Sequence, residues 1–69
     1  MSISYNGLWK LLIDKGMKKL DLKEKTGIST GTLAKLSKNN DVSLDVLQRI
    51  CQVLECNIGD IIDYIPDQN

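Results

Sequence analysis

Apolar residues recur along the chain at spacings of three and four, and Gly or Asn interrupts them every eight to fourteen residues. That rhythm predicts short amphipathic helices, and the lack of sustained period-two alternation argues against a β fold. The first predicted helix runs from about Tyr5 to Lys15, with Leu8, Leu11 and Leu12 on one stripe and Lys15-Gly16 as a stop signal. The second, Lys18 to Lys25, is anchored by Leu22 with Leu20 beside it, and ends at Thr26-Gly27. Ser29 is the expected N-cap of the third, which carries Leu33 and Leu36 and closes at Lys38-Asn39-Asn40. The fourth starts at Ser43 and gives the clearest amphipathic face: Leu44, Leu47, Ile50, Cys51 and Leu54. The fifth begins at Asn57, with Asp60 at the third helical position, where a carboxylate suits the helix N-terminus. Its apolar face is Ile58, Ile61, Ile62 and Ile65, and Pro66 stops it. Met1 to Ser4 fit a short extended lead-in. The expected class is all-α, with five helices.

Sixty-nine residues are expected to form one small domain, 1–69. The chain has no run of eighteen apolar residues to span a bilayer, and Met1 to Lys10 lack the basic-then-apolar order of a signal peptide. A cytoplasmic location is therefore expected. Composition also removes chemistries. There is no histidine, so the commonest general base and metal ligand is missing. Cys51 and Cys56 fit neither a CxxC pair nor a four-ligand zinc set, and are expected to be reduced thiols packed into or beside the core. No phosphate-binding glycine loop or nucleophile elbow occurs. Neither an enzyme, a metal site nor a cofactor is expected.

The net charge is zero, but it is unevenly spread. Residues 1–40 carry a net +5 from eight lysines, and residues 41–69 a net −5 with Arg49 as their one cation. The lysine-rich half suggests an anionic partner, although such faces also serve as plain solvated surface.

The stretch from Met17 to Asn40 is the most informative. Two short helices joined by a tight glycine-containing connection fit a helix-turn-helix over about residues 18–38. Leu22 is placed to meet Leu33 and Leu36; Gly27 permits a left-handed turn, and Ile28 plugs the angle between the helices. Within the third helix, positions 31, 35 and 38 share a face opposite Leu33 and Leu36.

From Lys15 to Ile62 the sequence is KGMKKLDLKEKTGISTGTLAKLSKNNDVSLDVLQRICQVLECNIGDII. Over residues 8–62 the chain resembles the Cro/C1-type (XRE) helix-turn-helix family, in particular its small stand-alone subgroup. The shared features are a Gly-hydrophobic-Ser turn, a recognition helix, a polar loop and a long fourth helix; the closing LECNIGDII is similar to the family's ending. The resemblance implies a lambda-repressor-like fold that binds an operator in double-stranded DNA, with the 29–38 helix in the major groove. Carried over by position, Thr30, Gly31, Thr32 and Lys35 fall where the family contacts base edges, and Ala34 lies beside them, able to touch a thymine methyl. Lys18 and Lys19 open the second helix where the family binds phosphate, and Lys38, Asn39 and Asn40 follow the recognition helix as further backbone contacts.

The chain also departs from the family pattern. Leu12 and Ser37 stand where the family commonly has an Arg–Glu pair; losing both partners leaves no stranded charge. Lys23 replaces a small alanine, and Gly31 lies inside the recognition helix at a cost of about 1 kcal/mol relative to alanine. Trp9 is expected to be a packed, half-buried indole, and Tyr5 and Tyr64 to be rim residues. Ile61, Ile62 and Ile65 are expected either to cap the core or to form a homodimer contact, with Met1 to Ile3 as another surface able to pair across a two-fold. The reading is a sequence-specific regulator that represses by occupying its operator. The alternative is a protein-binding module of the same fold, an anti-repressor or regulatory subunit.

Overall fold

The computed structural model describes residues 2–66, and every structural statement below concerns them. A short strand β1 (Ser2–Ser4) leads into α1 (Asn6–Asp14), α2 (Lys19–Thr26), α3 (Thr30–Ser37), α4 (Leu44–Leu54) and α5 (Ile58–Ile61), and β2 (Asp63–Ile65) closes the order. The five predicted helices are present. The two strands form a small antiparallel sheet that pairs Ser2 with Ile65, Ile3 with Tyr64 and Ser4 with Asp63. No described helix is long and apolar enough to cross a membrane.

Helix boundaries follow from caps the sequence supplies. Ser29 Oγ accepts from the Thr32 N–H at 3.0 Å, and Ser43 Oγ from the Val46 N–H at 3.3 Å. At the starts of α2 and α5 a third-position carboxylate reaches back instead: Asp21 accepts from the Lys18 N–H and Asp60 from the Asn57 N–H, each at 2.9 Å. Gly16 and Gly27 end α1 and α2 with φ of +68° and +74°, a region glycine enters without a steric penalty. The end of α3 has the double bond of a Schellman motif, with Asn39 N–H on Leu36 O and Asn40 N–H on Lys35 O around a left-handed Asn39.

The core gathers one to three residues from each helix: Leu8 and Leu12, Leu22, Leu36, Leu47, Ile50 and Leu54, and Ile61, with Tyr5 and Ile28 between elements. Leu22 and Leu36 lie in it, and Leu33 packs against it, as the helix-turn-helix spacing requires. Gly7 is needed where α1 meets α5, because a methyl group there would run into the Asp60 carbonyl.

Three expectations are corrected. The fifth helix stops at Ile61 rather than continuing to Pro66; Ile62 is extended, and the following residues leave the helix to pair with β1. The helical spacing of Ile62 and Ile65 is therefore coincidental: Ile65 lies in the strand that a β-branched residue favours, and Ile62 is the extended residue before it. Tyr5 is fully buried, not a rim residue. Leu44 is 66% exposed, because it is the first residue of α4 and precedes the buried stripe.

Candidate nucleic-acid interface

The left-handed Gly27 turns the chain sharply between α2 and α3, and Ile28 fills the angle at 5% exposure. Thr26 secures the turn: its hydroxyl donates to Leu22 O at 2.7 Å and accepts from the Ile28 N–H at 3.4 Å. With Leu36 facing inward, Thr30, Gly31, Ala34 and Lys35 are left exposed along the outer side of α3.

The candidate base-reading residues differ in freedom. Thr30 and Lys35 are exposed. Thr32 is half-buried, and its hydroxyl accepts from Ser29 at 3.0 Å, which leaves it one lone pair and its own hydrogen to offer a ligand. Gly31 has no packing reason to be glycine, since an added Cβ would meet only Ser29 Oγ at 3.8 Å.

Lys18 and Lys19 are exposed at the start of α2. The first-turn amides there have no carbonyl of their own helix to bond, so cationic side chains and free N–H donors share one end. Lys19 does not hang loose in solvent. Its Nζ lies 4.4 Å from the Trp9 ring centroid on α1 and 3.4 Å from Ser37 Oγ on α3. One ammonium thus joins three helices. The half-buried Trp9 was expected to be packing alone; the distance from 9 to 19 gave no sign that its face would carry a cation.

Lys38, Asn39 and Asn40 follow α3 in exposed positions. Asn39 is partly committed, because its Oδ1 accepts from the Tyr5 N–H at 3.1 Å and only its amide NH2 remains to donate. The Asn40 carbonyl accepts from the Tyr5 hydroxyl at 2.8 Å, while its side chain stays outside. Tyr5 is the functional neighbour that sequence reasoning missed. It tethers the loop behind the recognition helix to the start of α1. Burial and the nearby Asp41 charge both raise its phenol above 10.0, which keeps the hydroxyl a donor.

The proposed dimer triad is not one surface. Ile61 is completely enclosed in the core and unavailable to a partner, Ile62 is half-buried, and Ile65 is 42% exposed on β2 beside Tyr64. A helix continued to Pro66 would have aligned them; the change to strand separates them. Of the alternative segment, Met1 to Ile3, the strand β1 (Ser2–Ser4) pairs with β2 within the chain; Met1 lies outside the described residues. Among the described residues no cluster of three or more His, Cys, Asp or Glu is placed to hold a metal ion.

Residues 7–67 match the Cro/C1-type HTH DNA-binding domain family. A relative in Bacillus subtilis (strain 168), an uncharacterized HTH-type transcriptional regulator called YozG, is 34% identical over 61 residues, covering 86% of this chain and 73% of its own. A solved structure, that of the transcriptional regulator VanUg in its Form II crystal, superimposes with a TM-score of 0.92 at 56% identity, over 96% of this chain and 88% of that one. The turn at Gly27, the capped α3 and these likenesses agree: the chain belongs to the Cro/C1-type helix-turn-helix family.

Proposed function

We propose that this protein, a DNA-binding transcriptional regulator of the Cro/C1 type, represses transcription by laying α3 into the major groove of an operator. The observation that carries the reading is the exposed outer side of α3, flanked by Lys18 and Lys19 before it and Lys38 behind it. In this reading Thr30, Gly31, Thr32 and Lys35 approach base edges. Lys18, Lys19, Lys38, Asn39 and Asn40 grip phosphates, which supply most of the affinity and none of the sequence information directly. Lys35 can donate to guanine O6 or N7, but as a point charge rather than the two-pronged fork of arginine. Arg49, the chain's one arginine, is engaged with Asp45 at 3.0 Å on α4. Residues 1–69 act as one domain in the cytoplasm, as a homodimer reading two half-sites. Ile62 and Ile65 with neighbouring Tyr64 are the remaining candidates for its contact, now that Ile61 belongs to the core.

The test is fluorescence-anisotropy titration of the duplex upstream of the protein's own gene against a scrambled duplex, over roughly 50 to 300 mM salt, where counterion release is steep. Preference for the native duplex with a log–log slope of several units supports the reading. The double reversal Lys19→Glu and Lys35→Glu is expected to abolish binding while leaving the thermal transition in place. A double variant that still binds refutes the contact assignment. Wild-type protein that binds no duplex even at the lowest salt points instead to a protein-binding module on the same fold.

A further inference from the structure

We propose that Trp9 is a positioning residue for DNA binding: its indole face, together with the Ser37 hydroxyl, holds the Lys19 ammonium at the junction of α1, α2 and α3, ready to meet a phosphate. The inference rests on the DNA-binding reading and gives a role to a residue outside the helix-turn-helix. Lys19 Nζ lies 4.4 Å from the ring centroid, well inside the reach of a cation–π attraction. Ser37 Oγ, 3.4 Å away, accepts from the same ammonium. Trp9 is itself held, since it is half-buried and packs against the core cluster.

The chemistry of this seat differs from an ion pair in a way that suits its use. A carboxylate partner would cancel the lysine charge, and phosphate would have to displace it. An aromatic face is neutral, so the ammonium keeps its full charge and can still direct N–H donors outward. A free lysine must also give up rotamer freedom when it binds, and a lysine already held in place gives up less. Lys19 is the first residue of α2, so its backbone belongs to the turn whose amides lack carbonyl partners, while its ammonium is held out over α1 and α3.

The experiment is a double-mutant cycle on duplex affinity with Trp9→Leu, Lys19→Gln and the pair. Trp9→Leu is expected to weaken binding about two- to fivefold, the range an exposed cation–π contact supplies. It should leave the salt slope unchanged, because no charge is lost. Lys19→Gln should weaken binding and also lower the slope by about 0.9, one phosphate contact. In the Lys19→Gln background, Trp9→Leu should cost nothing more. Trp9→Phe, which retains an aromatic face, should fall between wild type and Trp9→Leu, and guards against a leucine variant that folds poorly. An equal loss from Trp9→Leu with and without Lys19 overturns the proposal, as does a changed slope in Trp9→Leu. In the free protein, the Lys19 ε-methylene protons should be shifted upfield by the indole ring current, and an unshifted resonance also overturns it. Wild-type protein that binds no duplex removes the DNA-binding reading and the role of Trp9 with it, while the ring-current shift still reports separately whether the contact exists.

Discussion

The Tyr5 hydroxyl donates a 2.8 Å hydrogen bond to the Asn40 carbonyl, and the Tyr5 N–H donates to Asn39 Oδ1 at 3.1 Å. One residue at the start of α1 therefore fixes two consecutive residues behind the recognition helix. Asn39 has φ of +58° and Asn40 closes the Schellman bond to Lys35, so the tether acts where the chain leaves α3. The proposed phosphate contacts of Asn39 and Asn40 depend on this anchorage.

Tyr5→Phe isolates the hydroxyl, because the ring stays in the core and only one donor is lost. Asn40 is exposed and the bond only part-buried, so losing it costs the net value of an ordinary hydrogen bond, about 0.5 to 1.5 kcal/mol. In a domain of this size that corresponds to a fall in Tm of about 2 to 12 °C, measured by circular dichroism. Duplex affinity should drop as well, since the 38–40 loop is less well placed. A variant melting at the wild-type temperature would show that the hydroxyl contributes no net stability.

Gly31→Ala separates the two reasons for a glycine in the recognition helix. An added Cβ meets nothing closer than Ser29 Oγ at 3.8 Å, so the fold does not require glycine there. Alanine is the better helix former by up to about 1 kcal/mol, and the variant should melt at or above the wild-type temperature. If the backbone at Gly31 closely approaches DNA, the new methyl costs about 1 to 3 kcal/mol by overpacking and weakens duplex binding roughly fivefold or more. A higher Tm with lower affinity is the expected pair of results. Unchanged or improved affinity would mean that position 31 makes no close approach.

Much of this architecture was legible because the chain marks its helix ends with residues whose local chemistry allows little else. Ser29 and Ser43 cap as their type and position suggest, Gly16 and Gly27 take the left-handed stops, and Asp60 closes back on Asn57. The illegible parts were decided at long range. Ile62 and Ile65 carry a helical spacing, but pairing of Asp63–Ile65 with Ser2–Ser4, across nearly the whole chain, overrides it. Tyr5 reads as a rim residue by its type; its burial goes with bonds to a side-chain amide and a backbone carbonyl thirty-four and thirty-five residues away. Glu55 ends α4 at φ +54°, where a glycine or asparagine would have been the recognisable signal. The candidate interface shows the same division. The exposure of Thr30 and Lys35 follows from helical period, whereas the seat of Lys19 on Trp9 needs three helices in place.

Alkaline pH should find the weak point of the α4–α5 corner. Cys56 N–H bonds to Cys51 O at 3.1 Å around the left-handed Glu55, an arrangement that brings the side chains before and after the helix end together. Burial, reinforced by the neighbouring Cys51 thiol, pushes Cys56 from 9.0 up to about 11. The folded state thus favours the neutral thiol, and its contribution to stability is complete below pH 9.0 and lost as pH rises through about 11. The Tyr5 phenol, raised above 10.0, adds a second loss in the same direction that begins only above that pH. The urea midpoint should therefore hold steady up to pH 9.0 and fall between there and about 11. Cys56→Ala should remove the earlier part of the decline and leave the later part, because Tyr5 still ionises. A midpoint that falls equally in both proteins between pH 9.0 and 10.0 would place the alkaline sensitivity elsewhere than at this thiol.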